Sequence, residues 1–107
     1  MAKYFKSSEI VGLHPRLVEK LDMARDIAGL PFHITEGLAS GGSHVPNTAH
    51  ARGLAVDLAC KDAVSRMKIV TALLAVGFRR IGVYNLHLHA DIDLSLPQDV
   101  MWWDKSS

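Results

Sequence analysis

The stretch VYNLHLHADIDLSLP, residues 83 to 97, constrains this chain more than any other, because it alternates with a strict period of two. His87, His89, Asp91 and Asp93 interleave with Leu86, Leu88, Ala90, Ile92 and Leu94. Successive side chains of a strand point to opposite faces, so the stretch predicts a strand with one aliphatic face and one row of metal-ligand-type groups. Two readings fit that polar row: a solvated outer face, or a site.

The rest of the chain predicts what surrounds this strand. HPRLVEKLDMARDIAGLP sets Pro15 in a first helical turn, Leu17, Leu21, Ala24 and Ala28 at helical spacing, and Gly29 with Pro31 as a stop. His14 stands at the N-cap position. FHIT (32–35) is a short apolar strand on which His33 is read as structural, and it leads into EGLASGGSHVPNTAHARG, a glycine-rich segment without hydrophobic period and therefore a loop. LAVDLA (54–59) alternates again, with Asp57 between alanines, and Cys60 after it is read as filling core space. KDAVSRMKIVTALLAVGF is a second helix with Asp62 as N-cap, an apolar set of Val64, Met67, Val70, Leu73 and Leu74, and Gly77 at its end. RRIGVY and HLHADIDL are two strands joined near Asn85, and the tail PQDVMWWDKSS is expected to pack Trp102 or Trp103 on the body before fraying. This order predicts one α+β domain over residues 1–107, with a small, mainly antiparallel sheet and two main helices.

Composition narrows the function classes. At 107 residues, 49% hydrophobic and 21% charged, with a formal net charge of +1, the chain offers no electrostatic case for nucleic acid or an anionic membrane as partner. A monomer is expected. Cys60 is the single cysteine, which excludes an internal disulfide and a thiolate-rich metal site, so any metal must be held by histidine and carboxylate. The N-terminal MAKYFKSSEIVGLHP lacks a signal peptide's apolar core and no apolar run is long enough to span a membrane. We therefore expect synthesis in the cytoplasm, with release by other means if the target lies outside.

Catalytic zinc takes three protein ligands, typically histidine nitrogens and a carboxylate oxygen, and keeps a fourth position for water. His50 at the end of the glycine-rich loop, Asp57 on the next strand and His89 on the last are candidates for that set. Same-face neighbours on a strand stand roughly 7 Å apart, so His87 projects beside such an ion rather than binding it alongside His89, at a place suited to proton donation or oxyanion stabilisation. Asp91 could orient a histidine, and Asp93 is read as solvated. Taken singly, His50 is an ordinary loop histidine and Asp57 an edge-strand carboxylate; His44, in the same loop, reads as solvated or substrate-facing.

TAHARGLAVD resembles the S-x-H-x-x-G-x-A-x-D motif of the zinc D-Ala-D-Ala carboxypeptidase-like peptidases, and LHLHADID resembles their closing H-x-H or H-x-D strand. FHITEG, GFRRIGVY and LPQDVMWW are similar to further segments of that family, so the likeness spans nearly the whole chain. The resemblance implies the zinc-site fold shared with lysostaphin-type endopeptidases and the hedgehog signalling domain. It further implies Zn2+ held by His50, Asp57 and His89, His87 as the catalytic histidine, and hydrolysis of amide bonds in peptidoglycan stem peptides. Several members are phage endolysins. Three departures stand out: Thr48 replaces the motif's serine, TEGLAS has Ala39 and no arginine where many carboxypeptidases bind a substrate carboxylate, and Leu86 stands where some members place a glutamate. Glu9, Glu19 and Glu36 are the chain's glutamates, and Glu36 at the loop entrance is the one placed to act as base. The competing expectations are a zinc-stabilised binding domain of the same fold and a peptidase of non-wall peptides.

Overall fold

The computed structural model describes residues 2–36 and 49–105. Ala39, His44 and Thr48 lie outside the described residues, as does the side chain of Glu36.

Helix α1 spans Pro15–Ala28, and the His14 side chain caps it by accepting from the Arg16 backbone N–H at 3.0 Å. Gly29 closes the helix in the left-handed conformation, φ +71°, which a residue without Cβ adopts at little cost. Helix α2 spans Ala63–Ala75, and the Asp62 carboxylate accepts from the Ser65 N–H at its start. Its buried face is Ile69, Ala72 and Leu73, whereas Val64 and Met67 are largely exposed and Leu74 partly so. The expected apolar set for this helix is thus corrected. Apolar residues occur on more than one side of α2, so periodicity alone does not choose the face that docks.

Five strands follow the order β1-β2-β4-β3-β5, with β1 Ile34–Glu36, β2 Ala55–Ala59, β3 Arg80–Val83, β4 His87–Asp91 and β5 Val100–Trp103. β4 pairs antiparallel with β2 on one side and β3 on the other, while β5 runs parallel to β3. The sheet is therefore mixed, which corrects the expected mainly antiparallel arrangement. The tail supplies the change: from the end of β4, residues 92–99 pass the Arg80 end of β3 and start β5 on its far side. That path crosses two inter-strand spacings, about 10 Å, within the reach of eight residues. His33, expected to be structural, keeps its side chain exposed, and its carbonyl accepts from the Ala59 N–H.

The helices and one face of the sheet share a single apolar core. Leu17 and Leu21 from α1 and Ile69 and Leu73 from α2 join Val56, Leu58, Ile81, Leu88 and Ala90 from the strands, with Phe78 and Cys60. Burial of Leu88 and Ala90 on that side sends His87, His89 and Asp91 to the other. Leu86 and Leu94, expected to continue the aliphatic row, lie beyond the strand and are exposed. Leu88→Ala in the central strand is expected to cost about 2–5 kcal/mol, measured by urea unfolding; a loss below about 1 kcal/mol would place Leu88 outside the packed centre.

Candidate metal centre

Across the helix-free face, strand register lines up the site. Asp57 of β2 stands opposite His89 of β4, which stands opposite Gly82 of β3, which stands opposite Trp102 of β5. The neighbouring rows place Asp91 opposite Arg80 and Ala59 opposite His87. His50 reaches the same place from the turn before β2. In that turn the Gly53 N–H returns to the His50 carbonyl and the Leu54 N–H to that of Ala49. Gly53 has φ +73°, and a Cβ there would stand 2.3 Å from the Gly12 carbonyl oxygen, so the turn requires glycine on two counts.

Ligand atoms of His50, Asp57 and His89 all lie within 4.8 Å of one another, and these residues could hold a metal ion. The carboxylate is the hub. Asp57 Oδ1 is 3.3 Å from His50 Nε2 and 3.2 Å from His89 Nδ1, and Oδ2 is 3.8 Å from His87 Nε2. Side-chain exposures of 12% for His50, 16% for Asp57 and 14% for His89 enclose the group without sealing it. Two imidazoles and a carboxylate are a donor set that zinc accepts. His87, on the same face at 20% exposure, stands beside this group.

Asp91 lies behind His89 and is almost fully buried. Its Oδ2 is 2.7 Å from His89 Nε2, while the Arg80 Nε–H donates to both carboxylate oxygens, at 2.9 and 3.1 Å. An imidazole that donates Nε2–H to a carboxylate turns Nδ1 toward its other neighbours, here Asp57 and His50. Arg80 also donates to the Pro97 carbonyl, so one guanidinium fixes both the histidine's support and the loop into β5.

Asp93, expected to be solvated, is buried to 1% exposure. It accepts from the Ser95 N–H and hydroxyl and forms an ion pair with Arg52. Arg52 belongs to the turn that carries His50, so the pair ties that turn to the end of β4. The sequence reading did not place Arg80, Tyr84 or Trp102 beside the polar row of β4. A period-two reading of RRIGVY puts Arg80, Gly82 and Tyr84 on one face, but no local pattern reveals that β5 lies beside them.

Charge on the site follows from these contacts. Burial pushes the Asp57 carboxyl up, but hydrogen bonds from His50 and His89 outweigh it and hold it well below the usual carboxylate range. Burial alone would lower His89, yet hydrogen bonds and charge from Asp57 and Asp91 push it up to about 9. The metal-free site therefore carries a proton on His89 at neutral pH, which a metal must displace.

Two measurements check this construction. His89 stabilises the metal-free fold below its unfolded value near 6.5, and that contribution is lost as pH rises through about 9. The chelator-treated protein is therefore expected to melt at lower temperature at pH 9.5 than at pH 6.5, while zinc affinity rises over the same window; a melting temperature constant between those pH values would contradict the assignment. Asp91→Asn is expected to weaken zinc binding about 10–100-fold in a chelator competition, and unchanged affinity would remove Asp91 from the support of His89.

No protein-family model, curated protein or solved structure matches this chain.

Proposed function

We propose that the chain is a zinc-dependent metallopeptidase that hydrolyses amide bonds in peptidoglycan stem peptides, with a fold of the D-Ala-D-Ala peptidase and hedgehog type. The observation that carries this reading is the meeting of His50, Asp57 and His89 on one sheet face with His87 beside them, because these are the residues that TAHARGLAVD and LHLHADID share with that family's motifs. A zinc ion held by the three would polarise a scissile carbonyl and acidify water to near neutrality.

The protein's own groups divide the remaining work. His87 is placed to give a proton to the leaving amine or to donate to the developing oxyanion. Arg80 and Asp91 hold His89 in one orientation, and Arg52 and Asp93 hold the turn of His50. Glu36 is the candidate base among the glutamates, and its backbone sits opposite Asp57 in the β1–β2 register, beside a register shift.

Charge pairing favours an internal peptide bond over a terminal one. Arg52, Arg79 and Arg80, the arginines in the turn of His50 and at the start of β3, are paired with Asp93, Asp99 and Asp91. A chain acting on the wall must reach it, and among the described residues no helix is long and apolar enough to cross a membrane. Release by a separate agent, as for phage endolysins, fits this reading. The exposed Leu86, in place of the glutamate of some relatives, favours the rival reading of a zinc-stabilised binding domain.

Dye release from purified cell walls decides between them. The zinc-loaded protein is expected to release dye and to stop when chelated. His89→Ala is expected to lose metal and activity together, whereas His87→Ala keeps zinc and slows at least about 100-fold. Full activity of the His87 variant would sink its catalytic role, and a zinc-loaded native protein that binds walls without releasing fragments would establish the binding domain.

A further inference from the structure

β5 brings an aromatic pair to the site that no sequence motif assigns. Gly82 separates His89 from Trp102 in the transverse row of the sheet, and a Cβ on it would stand 2.6 Å from the indole atoms. The indole therefore lies in space that any other residue at 82 would fill. From there its ring centroid is 5.4 Å from that of His89, and its Nε1–H donates to the Tyr84 hydroxyl at 3.1 Å. Tyr84 in turn stacks on His87, with ring centroids 4.3 Å apart and planes 11° from parallel. The Tyr84 backbone N–H also donates to the His87 carbonyl at 3.0 Å, so the two residues meet through backbone and ring.

We infer that Tyr84 is a positioning residue for His87: its ring, held by Trp102 over the bare backbone of Gly82, sets the plane of the imidazole beside the metal centre. A stacked ring restrains that plane, because sliding or tilting the imidazole gives up face-to-face contact. Trp102 then links both histidines of β4, touching His89 directly and reaching His87 through Tyr84. The catalytic consequence rests on the peptidase reading, but the geometric one does not.

The test compares Tyr84→Phe, which keeps a ring, with Tyr84→Leu, which does not, in the zinc-loaded protein. In nuclear magnetic resonance spectra the His87 ring protons are expected upfield in the native protein and in Tyr84→Phe, and to return downfield in Tyr84→Leu. On cell walls, Tyr84→Leu is expected to lose about 10–100-fold in kcat with KM and zinc content unchanged. Tyr84→Phe stays within about 3-fold, since it loses only the bond from Trp102. An unmoved His87 shift in Tyr84→Leu, or a Phe variant as slow as the Leu variant, would overturn the proposal. If the native protein releases nothing from walls, the peptidase reading fails while the His87 shifts still decide the positioning. Circular dichroism of both variants separates misfolding from misplacement, and a native fold is expected for each.

Discussion

In β4 the burial of Leu88 and Ala90 settles the direction of every other side chain on the strand. The core between sheet and helices needs those two residues, and a one-residue slip would carry His87, His89 and Asp91 into it. Three polar, ionisable groups in an apolar layer would cost far more than the hydrophobic contacts return. Packing on one face thus fixes chemistry on the other. The register partners follow: Asp57 must face His89, and Arg80 must face Asp91.

Burying carboxylates so close together calls for compensation, and the protein supplies it with two arginine pairs. Arg80 answers Asp91, and Arg52 answers Asp93. A buried ion pair is weak evidence of stability, since desolvation offsets much of its attraction. Its use here is geometric. Arg80 joins β3, β4 and the loop into β5, while Arg52 joins the turn of His50 to the strand of His89. Segments far apart in sequence that carry His50, Asp57 and His89, which could hold a metal ion, are thereby held in one arrangement.

Local chemistry made much of this readable. Pro15, Gly29 and Asp62 mark helix ends because capping and left-handed closure depend on residues a few positions apart. His50, Asp57 and His89 stood out because spacing and residue type satisfy a known coordination demand. The misreadings share a cause. Val64 and Met67 looked like core because α2 is apolar on more than one side, and Asp93 looked solvated because its partner Arg52 is 41 residues away. Trp102 packs on the body as expected, but its strand was not read, because a parallel neighbour leaves no hairpin signal in the sequence.

The sequence by itself determined the two helices with their caps, the alternating strands, and a supply of histidines and aspartates without cysteine that restricts the metal chemistry. These rest on periodicity and turn preference, which act over a few residues. Only the tertiary structure decided that β5 lies parallel to β3, that Asp93 is buried against Arg52, and that Gly82 leaves room for Trp102 beside His89. Each of these depends on contacts between segments whose separation along the chain carries no local energetic signature, so they become definite only when the sheet closes around its core.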